Sequence, residues 1–218
     1  MSHEENRSKE IWVHEFTEKA AQKFRYQILE IAHEDPNRVI PIYIDSYGGY
    51  VDSLASLIES MDEVDNRFVT ICSGKAMSCG AILFSHGDVR YCGRMSRIMI
   101  HNVSKMSFGD IYSLKSKSDE GMRLNKIFMG LLAQNCGMSY ADLQKNIKDS
   151  TDSKEIWLSP ADAKKFGIAD FVGTPVIRPL VYWNVDTKPI KPRLADNVKN
   201  PKKKTTKKKK VTRKKVTK

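Results

Sequence analysis

Apolar residues follow two alternating patterns along most of the chain. Short apolar runs have the length and composition of β-strands and occur at 10–13, 39–44, 68–72, 91–92 and 97–101. Longer segments carry apolar residues every three or four positions, which is typical of amphipathic helices, and occur at 16–32, 51–61, 111–134, 141–147 and 159–166. A short buried helix is also predicted within 73–87. Strands that alternate with helices favour a layered α/β fold with mostly parallel strand pairing.

The charge distribution divides the chain into a neutral body and a basic tail. The formal net charge is +11. Residues 201–218 contain 11 Lys and Arg and no acid, which leaves 26 basic residues against 26 acidic residues in the rest of the chain. Such a run cannot bury enough apolar surface to fold by itself. We therefore predict one folded domain over 1–187 and a disordered Lys-rich tail over 188–218. The tail either serves solubility or attracts an anionic partner such as nucleic acid.

Composition also excludes several classes of protein. No apolar stretch approaches the roughly 18 residues that a membrane span needs, and the N-terminal residues contain no export signal. The four cysteines lack the spacing of a disulfide framework or a metal site, and they are Cys72, Cys79, Cys92 and Cys136. We expect reduced thiols in a cytoplasmic protein, with no metal and no organic cofactor.

Three predicted strands end in residues that carry chemistry. YIDSYGGYVDS (43–53) ends a strand with two glycines, Ser78 opens a helix in GKAMSCGA, and His101 closes the strand RIMIH. Parallel α/β units bring such turns to one edge of the sheet. Ser and His form the minimum unit of a serine nucleophile, which also needs an acid to orient the imidazole. The backbone N–H groups of Gly49 and Cys79 are candidate donors for an oxyanion hole.

Taken singly, these signals are weak, and other chemistry has to be weighed. A serine at a helix start is most often a cap, and a histidine at a strand end is most often structural. A Ser–Lys pair is an alternative, because Lys75 lies three residues before Ser78. The G-x-S-x-G motif of α/β-hydrolases and the P-loop motif are both incomplete around these residues.

Four blocks of sequence, in this order, resemble the ClpP peptidase family. YIDSYGG, GKAMSCGAILFSHG, SRIMIHN and WLSPADAKKFGIAD are similar to that family's YINSPGG, GQAASMGAFLLAAG, SRVMIHQ and FLSAPEAVEYGLVD. The resemblance covers about residues 11–172. The short N-terminal segment and the basic tail look more like those of compact family members encoded by phages. The resemblance implies a crotonase-like spiral of ββα units, with 111–134 as the protruding handle helix. It also implies a serine endopeptidase that works through an acyl-enzyme inside a homo-oligomeric ring.

The resemblance also assigns the site. The family's nucleophile falls on Ser78, its base on His101, and its oxyanion amides on Gly49 and Cys79. Its acid lies four residues before the serine of the fourth block, which is Glu155 here, a glutamate where aspartate is usual. Because a small insertion would shift the alignment, Asp152 is the second choice for the acid, and Asp149 also stays open.

The sequence leaves several alternatives open for the assembly and the activity of the protein. The expected substrate is a peptide or an unfolded protein, and the expected ring is a hexamer or heptamer, single or stacked. The family's ring-bridging Arg is replaced by Ile156, so stacking and an ATP-dependent unfoldase partner are both left open. Two other functions are considered: a catalytically inactive ring subunit, and a scaffold or nucleic-acid-binding protein that acts through the 201–218 tail.

Overall fold

The computed structural model describes residues 9–104, 108, 110–150 and 153–176. Within these residues, seven strands alternate with six helices along most of the chain. The strands are β1 (Ile11–Val13), β2 (Ile40–Ser46), β3 (Phe68–Met77), β4 (Val89–Cys92), β5 (Arg97–His101), β6 (Glu155–Leu158) and β7 (Phe171–Val172). The helices are α1 (Glu18–Glu34), α2 (Val51–Asp62), α3 (Cys79–Ser85), α4 (Ile111–Asn135), α5 (Tyr140–Asp149) and α6 (Pro160–Phe166).

The strands form one sheet, which confirms the predicted α/β class with mostly parallel pairing. The main path runs β1-β2-β3-β4-β7, and β5 joins β3 on a side branch that continues to β6. All pairs are parallel except β5 with β6, which is antiparallel. Because β5 and β6 run in opposite directions, the last residue of β5 faces the first residue of β6.

Strand β3 is longer than the predicted 68–72 run, and this correction matters for the site. Its first half pairs with β4, from Val69 to Cys72, and its second half pairs with β5, from Lys75 to Met77. Between the halves, the register with β2 shifts so that 73–75 form a bulge. Polar and glycine residues in the bulge interrupt the apolar run, which is why periodicity ended the strand too early.

The core lies between the sheet and the helices packed on it. Strand β2 alternates buried and half-buried residues along its length, and the predicted apolar face of α1 is buried through Phe24 and Ile28. Helix α6 begins and ends where expected. The Ser159 hydroxyl caps it by accepting a hydrogen bond from the Asp162 N–H, and Gly167 ends it with φ +87°, a conformation that favours glycine.

Two short strands were not predicted. Strand β6 has only four residues inside a polar segment, and β7 has two. Their strand conformation depends on pairing with β5 and β4 rather than on a local pattern. The predicted tail, 188–218, lies outside the described residues, and so does Asp152.

Helix α4 extends well beyond the core. Its 25 residues are buried only near the C-terminal end, at Phe128, Met129, Leu132 and Ala133. Large apolar side chains remain exposed toward its other end, including Ile111, Tyr112 and Met122. This is the segment for which the family resemblance implies a handle. None of the described helices is both long enough and apolar enough to cross a membrane.

An ion pair joins the end of the domain to the sheet. The Arg90 guanidinium donates to both carboxylate oxygens of Asp170, at 2.6 and 3.1 Å, and to the carbonyl of Asn135 at 2.7 Å. The Arg90 N–H also donates to Asp170, at 2.8 Å. These hydrogen bonds hold the pKa of the Asp170 carboxyl below its ordinary value. The Arg90–Asp170 pair therefore connects β4 with the approach to β7, and the guanidinium of the pair also reaches the end of α4.

Replacing this carboxylate is predicted to destabilise the fold in a pH-dependent way. Asp170→Asn should lower the free energy of unfolding by about 1–3 kcal/mol near neutral pH, because Arg90 loses a charged hydrogen-bond partner. A carboxyl whose pKa is lower in the folded state stabilises the fold above its unfolded-state pKa, near 4, and loses that contribution as the pH falls further. Denaturant titration of wild type and Asp170→Asn should therefore show a difference in the free energy of unfolding that becomes smaller below about pH 4. The exposed Asp65→Asn control should match wild type, and an equal loss there would contradict the assignment.

Candidate active site

Ser78 occupies a strained turn between β3 and α3. Its backbone lies at φ +54° and ψ −121°, a conformation that L-residues rarely adopt and that costs about 1–3 kcal/mol. Its N–H donates to the Met99 carbonyl of β5 at 2.9 Å, and its carbonyl accepts from the Ala81 N–H at 3.0 Å. A half-buried serine is thus fixed at a sharp strand-to-helix junction, as nucleophilic serines are on other α/β folds.

The two glycines of the 43–53 segment have separate steric roles. A Cβ on Gly48 would lie 2.8 Å from the Ser78 Cβ and 3.2 Å from its hydroxyl oxygen. A Cβ on Gly49 would lie 2.6 Å from the Phe16 carbonyl oxygen, across a parallel bridge between these two residues. Both glycines also have positive φ angles. The turn therefore needs both glycines for its own geometry, whether or not the Gly49 N–H also serves a ligand.

His101 and Glu155 lie opposite each other across β5 and β6. They are Cα partners in the antiparallel register, and both are half-buried, while the adjacent pair Ile100 and Ile156 faces the core. Directly opposed residues on one face of an antiparallel pair have Cβ atoms roughly 4.5–5.5 Å apart. The sheet therefore brings an imidazole and a carboxylate to the same face.

The Glu155 carboxylate is also held by its own strand. Its Oε2 accepts hydrogen bonds from the Trp157 indole N–H at 3.0 Å and from the Ser153 hydroxyl at 3.2 Å. Of the other candidate acids, Asp149 is exposed at the C-terminal end of α5, and Asp152 lies outside the described residues. Of the described candidate acids, Glu155 is the one that is paired with His101 in the strand register.

Ser78 lies one strand away from His101. Met77, the residue before Ser78, is the Cα partner of Met99, two residues before His101, and neighbouring strands are about 4.8 Å apart. Within the described residues, no hydrogen bond joins the Ser78 hydroxyl to the His101 ring. Hydrogen bonds of this kind are often long or misaligned in empty sites and tighten when a substrate binds.

The two candidate oxyanion donors are close neighbours. Cys79 is the first residue of α3, so its N–H lies among the helix N-terminal groups that have no partner within the helix. Its buried thiol donates to the Gly49 carbonyl at 3.3 Å, which links the glycine turn to the start of α3. Burial raises the pKa of this thiol, so Cys79 contributes a neutral donor and no competing nucleophile.

Lys75 does not serve as a base for Ser78 in this structure. Its ammonium group donates to the Asp45 carboxylate at 2.6 Å and lies 4.3 Å from the centre of the Tyr47 ring. Among the described residues, no group of three or more His, Cys, Asp or Glu side chains could hold a metal ion.

The comparison with known families identifies the family of this chain. A family model for Clp protease matches residues 6–176 of the 218, well over half of the chain. The chain belongs to the Clp protease family. The match includes all four of the resembling blocks and the candidate site residues, from Gly49 to Glu155. The Clp protease assignment confirms the resemblance found in the sequence.

Two features of this Clp protease site were missed in the sequence. The strain at Ser78 has no signature in composition or periodicity, because it arises where β3 leaves β5 for α3. Strand β6 has no such signature either, because three apolar residues follow Glu155 in EIWL, and only their burial in the folded chain alternates. It is the pairing of β6 with β5 that places Glu155 opposite His101.

Adding one methyl group at Gly48 is predicted to disrupt the turn. Gly48→Ala should lower the free energy of unfolding by about 1–3 kcal/mol, because the new Cβ would meet Ser78 and the φ of +103° is strained for alanine. Gly121→Ala is the matched control, since Gly121 lies within α4 and a Cβ there meets nothing within 4 Å. This control should be neutral or stabilising by up to about 1 kcal/mol. Denaturant titration measures both, and equal effects would contradict the steric argument.

Proposed function

We propose that this Clp protease family member is a serine endopeptidase that cleaves peptide bonds through an acyl-enzyme intermediate. The observation that carries the proposal is the register of His101 opposite Glu155, on the strand that also binds the Ser78 N–H. The ends of β3 and β5 and the start of β6 carry the candidate hydroxyl, imidazole and carboxylate on neighbouring strands. That arrangement supports nucleophilic catalysis.

In the proposed mechanism, the Ser78 oxygen attacks the carbonyl carbon of the scissile peptide bond. His101 takes the hydroxyl proton and then gives it to the leaving amine as the C–N bond breaks. Water, deprotonated by His101, hydrolyses the resulting ester and restores the serine. Glu155 orients the imidazole and stabilises its protonated form, while the Gly49 and Cys79 N–H groups bind the oxyanion in both steps.

We further propose that the active form is a ring that encloses the sites. Membership of the family supports a ring of identical subunits. The exposed Ile111, Tyr112 and Met122 on α4 support it too, because this apolar surface would be covered by a neighbouring subunit. Access to the sites would then be limited by the entrance to the chamber, which favours peptides and unfolded chains as substrates. A hexamer or a heptamer fits this proposal, and native mass spectrometry distinguishes the two.

Removing the nucleophile is predicted to abolish hydrolysis without changing assembly. Ser78→Ala should lower kcat on a fluorogenic peptide by about 10³-fold or more. It should also abolish labelling by a fluorophosphonate, which reacts only with an activated serine. The native mass should match wild type, since a half-buried hydroxyl is all that is lost. If wild type is neither labelled nor active as an assembled ring, the chain is an inactive ring subunit instead.

The acid is identified by comparing three amide variants. Glu155→Gln should lower kcat by about 10²-fold or more, because an amide holds the imidazole less well in the required tautomer. Asp149→Asn and Asp152→Asn should retain activity close to wild type. A large loss in Asp152→Asn with activity kept in Glu155→Gln would transfer the role to Asp152.

The basic tail suggests a second function for the chain, binding of nucleic acid or another anionic partner. Residues 201–218 contain 11 Lys and Arg without an acid, and such segments bind polyanions in a salt-dependent way. Deleting 188–218 should therefore weaken binding to a labelled DNA duplex at low salt, measured by fluorescence anisotropy. The same deletion should leave cleavage of short peptides unchanged. Equal DNA binding by the full chain and by the 188–218 deletion would contradict the nucleic-acid hypothesis.

A further inference from the structure

A charged group beside the glycine turn is not used by the proposed mechanism. Asp45 is the last residue but one of β2, and Lys75 lies in the β3 bulge. Their side chains form an ion pair of 2.6 Å, in which Lys75 is 19% exposed and Asp45 is 35% exposed. Such a pair is worth more than a fully exposed one, because partial burial reduces screening by water.

The bulge is built around this ion pair. Gly74 has φ +105°, and a Cβ on it would lie 2.9 Å from a carboxylate oxygen of Asp45. The Gly74 N–H donates to the Ser96 hydroxyl at 2.9 Å, which fixes the bulge on its other side. Asp45 therefore occupies space that a side chain at position 74 would fill, and the carboxylate meets the ammonium group directly.

Lys75 also holds an aromatic ring that belongs to the turn. Its Nζ lies 4.3 Å from the centroid of Tyr47, within the range of a cation–π interaction. Tyr47 is 70% exposed, so the core does not fix its ring. Tyr47 directly precedes Gly48, which contacts Ser78, and Gly49, the candidate oxyanion donor.

We propose that Lys75 is a positioning residue that fixes the Tyr47–Gly49 backbone, and hence the direction of the Gly49 N–H. This inference rests on the proposed function, because it assigns a role relative to the oxyanion. One ammonium group binds two side chains on the N-terminal side of the turn, the Asp45 carboxylate and the Tyr47 ring. The Phe16 carbonyl and the Cys79 thiol already hold the Gly49–Tyr50 side of the turn, and Lys75 holds its Tyr47 side. Because glycine can adopt many backbone conformations, fixing the Tyr47 side as well limits the orientations of the peptide groups between them.

Lys75→Met removes the charge while keeping a chain of similar length. We expect amide hydrogen exchange in a peptide covering 43–50 to rise several-fold, because the turn loses its anchor. We expect kcat to fall about tenfold with KM nearly unchanged, since a misdirected oxyanion donor weakens binding of the transition state rather than of the substrate. Lys19→Met, at an exposed position of α1, is the control and should change neither quantity.

Two substitutions of the ring test the cation–π contact separately. Tyr47→Phe keeps the aromatic face and should behave like wild type in both measurements. Tyr47→Leu removes the face and should reproduce part of the effect of Lys75→Met. If the ring had a purely structural role, Tyr47→Leu would not lower kcat relative to Tyr47→Phe while KM stayed unchanged.

The outcomes separate the two proposals. Unchanged hydrogen exchange over 43–50 in Lys75→Met overturns the positioning role, whatever the activity. Raised exchange with unchanged kcat also overturns it, since the turn would then not limit catalysis. If wild type shows no Ser78-dependent hydrolysis, the proposed function itself fails. That result is recognised independently, from the Ser78→Ala comparison.

Discussion

The bulge in β3 is the constraint on which the rest of the site depends. It lets one strand pair with β4 over its first half and with β5 over its second half. Without this change of partner, β5 would have no place in the sheet, and β6 could not bring Glu155 opposite His101. Gly74 makes the bulge sterically possible, and the Ser96 hydroxyl binds it by accepting from the Gly74 N–H and donating to the Cys72 carbonyl.

The strained serine follows from the same arrangement. Strand β3 ends while still paired with β5, and α3 begins at the next residue but one, so Ser78 alone makes the change of direction. Its positive φ is balanced by the Met99 hydrogen bond and by α3, whose seven residues are all buried. Residues held this way cluster at functional sites, because the surrounding structure has to enforce them. The strain thus supports a functional role that a capping serine would not need.

Much of this architecture was predictable from the sequence, and the errors in the predictions have physical causes. The helices α1, α2 and α4 and the strand RIMIH were predicted because each has a strong local periodicity. Strand β3 was cut short at Cys72, because the bulge interrupts its pattern. Strand β6 was missed because four residues gain strand conformation only by pairing. The meaning of Gly48 was also partly hidden, since its neighbour in space is 30 positions away in the chain.

The sequence by itself determined the α/β class, the separation of a neutral body from a basic tail, and which residues are candidates for serine chemistry. Each of these follows from local composition, from spacing, or from short motifs. The tertiary structure alone decided which acid faces His101, why Ser78 is strained, and where the Lys75 ammonium group points. These are properties of strand register and of contacts between distant segments, and local pattern carries no information about either.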